Sequence, residues 1–489
     1  MSDARSPVGV LLSYGAYLPS GRLDRAEVGA TLGTGGGRGQ RVVASFDEDS
    51  TTMGVAAARA ALSELSGPPP RDLYFATTSP AYLDKTNAAA VHTALGLGGE
   101  GFAADLAGSA RSGMAALVSA AGLGGIAVLA DVRTGQPGSA DERGGGDAAA
   151  AFVFGAHGVS SGSGVSGGAS DGGGAGDAGD GTDGAIAYVI GRAARTAEVL
   201  DRWRPPEQAF AQVWEERFGY EQYAPLIRDT AAAALKDAGL AAADHVVLVS
   251  PNSGVAKRGK SLVTGAVSTS SSPVGHAGAA DAGVALAAVL DHAEPDQTIL
   301  VVNAADGCDA LVLRTTGLLP ARRQPVAVDA QLKAGAPVPY ARYLTWRGML
   351  DREPPRRPEP DRPAAPPSAR AGEWKFSFSG SQCTKCGFVH LPPARVCHRC
   401  GAVDQLSQTR LADTMGTVAT FTVDRLAFSP SPPLVDAVVN FDGGGRYALE
   451  VADADPDRLA VGSRVELVFR RLFTAGGVHN YFWKARVVS

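Results

Sequence analysis

Gly380-Ser381-Gln382-Cys383-Thr384-Lys385-Cys386-Gly387, followed closely by Cys397-His398-Arg399-Cys400-Gly401, is the stretch of this sequence with the clearest chemistry. It contains four of the five cysteines of the chain, arranged as two Cys-x-x-Cys pairs. Two such pairs can present four thiolates tetrahedrally, which is the arrangement that zinc prefers in proteins. A glycine follows each pair, where it permits backbone turns that other residues adopt with difficulty.

We therefore predict a small zinc ribbon whose ligands are Cys383, Cys386, Cys397 and Cys400. Four thiolates leave no open coordination position, so the role of the metal is expected to be structural. His390 and His398 lie nearby, and we interpret them as ordinary polar residues because the cysteines already fill the coordination shell. Disulfide bonds, an iron centre and a ribbon without metal remain alternatives.

The composition indicates a globular protein of more than one domain. The chain has 489 residues, of which 45% are hydrophobic and 19% charged, and its net charge is -5. That length suits two or three domains. The mild acidity argues against a nucleic-acid-binding protein, which would carry a basic face. Few cysteines, mostly in one paired cluster, suit a reducing compartment.

We also expect a cytoplasmic protein without a membrane span. The first residues carry no charged-then-apolar export pattern. No run of about 18 apolar residues is present in the sequence.

The order of strand-like and helix-like segments predicts the domain organisation. Short apolar strands alternate with Ala-rich helices over roughly the first 340 residues, which is typical of an α/β body with helices layered on sheets. Residues 160–183 are almost entirely Gly, Ser, Ala and Asp, and we predict a disordered surface insertion there. Short strands separated by turns after Gly416 predict a small β-barrel.

These patterns divide the chain into five predicted units. The two halves of the body are residues 1–195 and 196–350, and a Pro/Arg-rich linker that cannot be helical follows at 351–372. The zinc ribbon is residues 373–406, and the barrel is residues 407–489.

Four stretches of the body resemble the thiolase superfamily, within the branch of hydroxymethylglutaryl-CoA synthase and 3-oxoacyl-carrier-protein synthase III. They are Asp47–Met53, Asp105–Leu117, Asp201–Pro205 and Asp306–Leu311. The resemblance implies a duplicated α/β/α/β/α body and usually a homodimer. It also implies CoA or acyl-CoA as the ligand.

The C-terminal third resembles the zinc-ribbon plus OB-fold proteins that accompany thiolase-like enzymes. The cysteine stretch and Gly416-Thr417-Val418-Ala419-Thr420-Phe421-Thr422 carry this resemblance. It implies a complex with a thiolase-type partner. The body and the accompanying module are here fused in one chain.

The residues that condensing members of the superfamily use are replaced. Matching on Asp105 and Gly113 places the nucleophile position on Ala110, flanked by Ser109 and Ser112. A cysteine at this helix start would be stabilised as a thiolate, whereas a serine needs a neighbouring base. The body contains one cysteine, Cys308, which we interpret as a buried small residue rather than a relocated nucleophile.

Three other catalytic positions also differ. The position expected to hold histidine is Val249, the position expected to hold asparagine is His276, and Thr78 stands nearest to the expected glutamate. His276 is therefore a candidate acid, base or oxyanion donor, and a satisfied histidine in a degenerate pocket is the alternative. Lys257 and Arg258 match places where related proteins meet CoA phosphates, although a solvated basic face explains them equally well.

These observations leave three hypotheses. The first is a non-condensing acyl-CoA-binding protein that acts with a thiolase-type partner. The second is an aldolase or retro-aldolase that acts on acyl-CoA without a covalent intermediate, with His276 as its base or oxyanion donor. The third is an acyltransferase or synthase that uses Ser109 or Ser112.

Overall fold

The computed structural model describes residues 7–35, 37–156, 184–269, 272–353, 356 and 360–488. The predicted disordered insertion at residues 160–183 lies outside the described residues. Within the described part of the chain, no helix is both long enough and apolar enough to cross a membrane.

The body is built from alternating strands and helices. Its described strands are β1 (Gly9–Tyr17), β2 (Gly21–Asp24), β3 (Gln40–Val43), β4 (Leu73–Thr77), β5 (Ala103–Ala107), β6 (Gly125–Asp131), β7 (Ala148–Gly155), β8 (Ala187–Thr196), β9 (Arg202–Trp203), β10 (Gln212–Val213), β11 (Ala243–Val249), β12 (Gly265–Thr269), β13 (Thr298–Asn303), β14 (Gly307–Thr315) and β15 (Ala336–Pro337). Its described α-helices are α1 (Arg25–Leu32), α2 (Ser50–Ser63), α3 (Ala88–Leu95), α4 (Arg111–Leu123), α5 (Ala140–Gly144), α6 (Glu216–Asp237), α7 (Ser253–Arg258), α8 (Asp281–Leu290), α9 (Val328–Lys333) and α10 (Tyr340–Trp346).

Ten of these strands form one mixed sheet whose order reveals a duplication. The order is β12-β11-β13-β14-β8-β1-β7-β6-β4-β5. Read outward from the centre, β1-β7-β6-β4-β5 and β8-β14-β13-β11-β12 repeat the same arrangement, and β1 pairs antiparallel with β8. The predicted boundary at residue 195 falls at the end of β8, whereas the repeat places β8 with the second half.

Helices cover the two halves of the sheet and lie between them. Helices α2 and α3 pack outside the first half, α6 packs outside the second, and α4 and α8 lie in the central layer. Small and aliphatic residues fill that centre, among them Met114, Leu117, Val284 and Leu286, all at most 2% exposed. The small side chains of α4 and α8 let the helices approach both halves of the sheet closely, so that each half forms one β layer. The predicted layered α/β/α/β/α body is thus confirmed.

Two further units follow the body. Their described helices and strands are α11 (Ala365–Arg370), α12 (Gly372–Ser377), β16 (Ser379–Cys383), β17 (Val389–His390), β18 (Leu406–Arg410), β19 (Gly416–Asp424), β20 (Leu434–Phe441), β21 (Arg446–Glu450), β22 (Arg464–Ala475) and β23 (Val478–Val487). The ribbon sheet has the order β17-β16-β18, and β18 spans the predicted boundary at residue 406.

The last five strands form the predicted small barrel. They make an antiparallel sheet of order β21-β20-β19-β22-β23. A bridge between Val451 and Ala485 joins its two edges and closes the sheet. Closure removes the exposed edges that an open sheet would offer for aggregation.

One prediction for the linker is wrong. We expected residues 351–372 to contain no helix because of their many prolines, yet α11 begins at Ala365. Pro366 and Pro367 occupy its first turn, where the missing amide hydrogens have no partner within the helix in any case. Proline therefore starts this helix instead of preventing it.

Buried charges join the barrel to the body. Asp49 caps α2, and its carboxylate also accepts from the hydroxyl of Tyr481 at 2.7 Å. Asp47 pairs with Lys484 at 2.9 Å, and Arg470 pairs with Glu48. Burial opposes the ionisation of Asp47, but the charges of Lys484 and Arg470 outweigh burial and hold the pKa of Asp47 below its ordinary value.

Candidate ligand-binding cavity and metal site

The candidate site is a cavity of about 360 Å³ at the carboxyl ends of the body strands. Ligands of open α/β sheets bind at this end, because the loops that follow the strands converge there. The cavity is walled by the loops after β4, β6, β11 and β13, by the start of α4, and by the segment around β9. The side chains that line it and matter for its chemistry are Thr78, Ser109, Ala110, Arg133, Asp201, Arg202, Tyr223, His276 and Asp306.

The predicted nucleophile position faces this cavity. Ala110 is the residue before the first turn of α4 and is 9% exposed. Ser109 also lines the cavity, and its hydroxyl accepts from the backbone N–H of Arg111 at 3.3 Å. Among the described residues, no imidazole or carboxylate is hydrogen-bonded to Ser109. The serine therefore lacks the adjacent base that nucleophilic attack requires.

His276 is held in a fixed orientation by Asp281. Its Nδ1 lies 3.0 Å from Oδ2 of Asp281, and both side chains are largely buried. The other carboxylate oxygen of Asp281 accepts from the backbone N–H of Ala277 at 3.0 Å. A carboxylate on Nδ1 fixes the imidazole tautomer with its proton on that nitrogen, leaving Nε2 to act as a base or acceptor. Among the described residues, no hydrogen bond reaches Nε2.

A second ionisable side chain that lines the cavity is that of Asp201. It is 7% exposed and accepts hydrogen bonds from the hydroxyl of Tyr223 at 3.2 Å and from the side-chain amide of Asn252 at 3.3 Å. Burial raises the pKa of Asp201 although these hydrogen bonds oppose the rise. A carboxyl group with a raised pKa can deliver a proton at a higher pH than an exposed one.

Asp131 supports the wall of the cavity that holds Thr78. Its fully buried carboxylate accepts from the hydroxyls of Thr77, Thr78 and Ser79 and from the backbone N–H of Ala279. Thr78 is the residue nearest to the position expected to hold a glutamate, and its hydroxyl donates to the buried carboxylate of Asp131. Because Asp131 is satisfied by these donors, its role is to fix the wall.

Gly278 makes this arrangement possible. A Cβ atom at position 278 would lie 1.9 Å from the carboxylate of Asp131, and the backbone there has a φ of +58°. Only glycine satisfies both conditions without strain. His276, two residues earlier, is thereby held against the same wall.

Ion pairs stabilise the rim of the cavity. Arg202 pairs with Asp141, and the hydrogen bonds and charge of Arg202 lower the pKa of Asp141 although burial acts in the opposite direction. Arg111, the first residue of α4, pairs with Asp309 through two hydrogen bonds of 2.8 and 2.9 Å. This pair connects the start of α4, in the first half of the body, with β14 in the second half.

Several predicted positions lie outside the cavity lining. Val249 is fully buried at the end of β11 and belongs to the central core. Lys257 and Arg258 are exposed at the end of α7, where the guanidinium of Arg258 lies 3.6 Å from the centre of the Tyr220 ring. Cys308 is fully buried in β14, and burial raises the pKa of its thiol to about 12, which confirms its interpretation as a structural residue.

A larger cleft of about 900 Å³ lies between the body and the barrel. Four arginines face it, yet each is paired with a carboxylate. The pairs are Arg59 and Arg410 with Asp413, Arg470 with Asp453, and Arg486 with Glu466. Of these four pairs, only that of Arg59 with Asp413 joins the body to the C-terminal region, and the other three lie within that region. Because these guanidinium groups already have carboxylate partners, the smaller cavity remains the candidate site.

The four cysteines of the ribbon converge as predicted. Their Sγ atoms all lie within 4.8 Å of one another, with Cys383 and Cys400 3.6 Å apart and Cys386 and Cys397 3.5 Å apart. These separations suit four sulfurs at about 2.3 Å from one zinc ion and are too long for disulfide bonds. Gly387 and Gly401, which follow the two pairs, have φ values of +72° and +71°.

His390 and His398 do not join this cluster of possible ligands. His390 is 4% exposed, and its ring stacks edge-on against that of His398 with centroids 4.8 Å apart. The residues therefore fit a four-sulfur zinc site, and the two histidines pack beside it.

Sequence reasoning missed most of the groups that surround His276. Asp281 follows His276 closely, but only the turn into α8 brings its carboxylate back to the imidazole. Asp201 stood in a stretch that marked the resemblance, without an assigned role. Asp131 and Tyr223 carried no local signal, because their neighbours come from distant strands.

The C-terminal region matches two described domain families. Residues 377–404 match the ChsH2 rubredoxin-like zinc ribbon domain, and residues 409–470 match the ChsH2 C-terminal OB-fold domain. A DUF35 domain-containing scaffold protein of Methanothermobacter thermautotrophicus is 30% identical over 115 residues, which cover 22% of this chain and 86% of that protein.

The body matches a different group of proteins. Hydroxymethylglutaryl-CoA synthase of Pyrobaculum neutrophilum is 28% identical over 373 residues, covering 70% of this chain and 98% of that protein. The solved structure of a hydroxymethylglutaryl-CoA synthase complexed with CoA superposes with a TM-score of 0.55 at 14% identity, covering 69% of this chain and 89% of that one. The body is therefore a thiolase-like homologue of hydroxymethylglutaryl-CoA synthases, and the chain belongs to the family of DUF35 domain-containing proteins, with a ChsH2-type zinc ribbon and OB-fold at its C-terminal end.

Proposed function

We propose that this chain is a thiolase-fold acyl-CoA-binding protein that does not condense its ligand through a covalent intermediate. The observation that carries the proposal is Ala110, which stands at the start of α4 and faces an open cavity of about 360 Å³. The cavity offers space for an acyl group and no thiol with which to form a thioester. The ligand class is supported by the structural neighbour that was solved with CoA.

Isothermal titration of acetyl-CoA into the purified protein tests this function. The wild type is expected to bind, and Ala110→Trp is expected to abolish binding because the indole fills the cavity. Ala369→Trp, in the short linker helix α11, is the matched control and should bind like the wild type. A wild type that does not bind acetyl-CoA, or an Ala110→Trp variant that binds it unchanged, would refute the proposal.

A second candidate is aldol-type cleavage of a 3-hydroxyacyl-CoA. It is favoured by the orientation of His276 by Asp281, and by Asp201, whose carboxyl pKa is raised by burial. In this reaction Nε2 of His276 would accept the proton of the 3-hydroxyl group as the carbon–carbon bond breaks. A protonated acid would then deliver a proton to the enolate carbon, which restores the proton balance. Loss of activity by about 100-fold or more in His276→Ala would support this role.

The exposed cations after β11 are candidates for the phosphates of CoA. Pro251 lines the cavity, and α7 with Lys257 and Arg258 begins two residues later. These side chains can therefore reach a ligand that extends outward from the cavity. Lys257→Ala with Arg258→Ala should weaken acetyl-CoA binding more than it weakens binding of a CoA analogue without the 3′-phosphate.

We further propose a thiolase-type protein as the partner of the C-terminal region. The proposal is supported by relatives that are named scaffold proteins and by three apolar side chains on the ribbon, Phe388, Val396 and Val403, which are 40%, 45% and 57% exposed. Exposed apolar residues that lie together are typical of interaction surfaces. Co-purification with a thiolase that is lost in Val403→Asp would support the contact.

We also propose a homodimer that forms through the edge strand β5 of the body. Strand β5 lies at one end of the described ten-stranded sheet, and Phe102 beside it is 60% exposed. An edge strand can pair with the same strand of a second copy. Light scattering should give twice the chain mass for the wild type and the single mass for Phe102→Asp.

A further inference from the structure

The OB-fold contacts the loop that forms one wall of the candidate cavity. This wall loop, residues 78–87, contributes Thr78, Ser79, Pro80 and Leu83 to the cavity lining. On its inner side Asp131 binds Thr78 and Ser79, as described above. Its far end is fixed to the body, because Asn87 binds both the backbone of Tyr82 and the carboxylate of Asp105.

The middle of the wall loop is held by the hairpin of β22 and β23. The backbone N–H of His479 donates to the hydroxyl of Tyr82 at 2.7 Å, and the two rings pack at an angle of 39° with centroids 4.9 Å apart. Nε2 of His479 lies 3.3 Å from the carbonyl oxygen of Ala81. A carbonyl can only accept, so this nitrogen carries the proton, and Nδ1 accepts from the hydroxyl of Thr474 at 2.7 Å.

We propose that the contact of His479 with Ala81 and Tyr82 positions the wall loop, so that the OB-fold sets the affinity of the cavity for acyl-CoA. This inference rests on the proposed function of the cavity. His479 is a positioning residue, since it touches the loop and not the cavity lining. The OB-fold of this chain then contributes to the body's own ligand site in addition to any contact with a partner protein.

A loop that is already held in its binding conformation costs a ligand less free energy to bind than a loop that must first be ordered. Leu83, which lines the cavity, is 76% exposed, so packing within the body does little to hold this part of the loop. Asn87 still binds the backbone of Tyr82, so loss of the His479 contact would loosen the stretch from Pro80 to Tyr82 without releasing the whole loop. A ligand would then have to order the loop on binding, which weakens its affinity.

The test compares Tyr82→Phe and His479→Ala with the wild type, using acetyl-CoA as the probe. Tyr82→Phe removes one hydroxyl and keeps the ring. Each variant is expected to bind acetyl-CoA roughly three- to tenfold more weakly, the range that corresponds to one lost hydrogen bond. The backbone N–H of residue 479 still donates to the Tyr82 hydroxyl in His479→Ala, whereas Tyr82→Phe removes that bond and keeps the one between His479 and Ala81, so the double variant should bind more weakly than either single variant.

Tyr188→Phe and His292→Ala are the matched controls, since both lie on the body away from the wall loop and should bind like the wild type. Hydrogen–deuterium exchange supplies a readout that a general loss of stability would not produce. Exchange of peptide 78–87 should quicken in both test variants, while exchange in the central helix α4 stays unchanged. Unchanged affinity with unchanged exchange of peptide 78–87 would overturn the inference. A wild type that binds no acetyl-CoA would refute the proposed function instead, and the exchange measurement would still decide whether the contact positions the loop.

Discussion

The zinc ribbon and the cavity of the body use their polar groups in opposite ways. In the ribbon, four sulfurs point at one another within 4.8 Å and leave no place for another molecule. In the cavity, His276 and Asp201 face an open space of about 360 Å³. A closed set of polar groups stabilises a fold, whereas an open set remains available to a ligand. This difference supports a structural role for the ribbon and the proposed ligand-binding role for the cavity of the body.

The largest effect is expected when the closed cluster is broken. Cys397→Ser should lose the bound zinc and the ordered ribbon, because the metal ligands hold this small unit together. Zinc measured per chain should fall from about one equivalent to below about half. Cys308→Ala is the control, since Cys308 lies in the body core and should leave the zinc content unchanged. Full zinc content in Cys397→Ser would show that Cys397 is not needed to hold the metal, which contradicts the closed four-sulfur site.

A second closed cluster lies between the body and the barrel, and its loss should be the next largest effect. Arg470 is 3% exposed at its side chain and pairs with Glu48 and Asp453. Arg470→Ala leaves these carboxylates without their partner, at a cost of about 3–5 kcal/mol in the free energy of unfolding. Urea unfolding measures this loss. Arg464→Ala, which breaks an exposed pair with Asp442, should cost far less, and equal losses would contradict the distinction.

Changes in the open cavity should affect stability less. His276→Gln keeps the size and polarity of the side chain and removes one contact with Asp281, so the free energy of unfolding should fall by about 1 kcal/mol. Acetyl-CoA affinity or cleavage activity should change at the same time. A loss of stability as large as that of Arg470→Ala would mean that His276 is a structural residue.

The smallest effect concerns pH. The pKa of Asp47 is lowered in the folded state, so its contribution to stability is present above the ordinary carboxyl pKa of about 4 and is lost as the pH falls through the folded-state value. The difference in unfolding free energy between the wild type and Asp47→Asn should therefore shrink as the pH is lowered from 7 to 3. Asp361→Asn, in the linker, is the control and should show little difference at any pH. A constant difference for Asp47→Asn would contradict the role of its charge.

The sequence was sufficient where the chemistry is local. The spacing of the cysteines and the glycines after them predicted the ribbon, since each Cys-x-x-Cys pair and its turn are formed by neighbouring residues. Strand and helix patterns likewise predicted the layered body. Apolar periodicity and capping act over a few residues, which makes them readable.

The sequence was not sufficient where distant strands meet. Asp47 and Glu48 pair with Lys484 and Arg470 of the barrel, more than 400 residues away in sequence, and no local pattern indicates these pairs. Asp131 and Tyr223 join the cavity only through the order of the sheet. The position of His479 against Tyr82 depends on how the barrel docks on the body, which no local pattern encodes.

The proposal that the cavity binds acyl-CoA without forming a covalent intermediate is tested most directly by intact mass measurements. They compare the wild type with Ala110→Cys after incubation with acetyl-CoA. Ala110 stands at a helix start in the cavity proposed to bind acyl-CoA, where a thiolate would be stabilised. We expect one acetyl adduct on Ala110→Cys and none on the wild type. An adduct on the wild type would show acylation of a serine such as Ser109, and the absence of an adduct on Ala110→Cys would show that the thioester does not reach this position; either result would contradict the account.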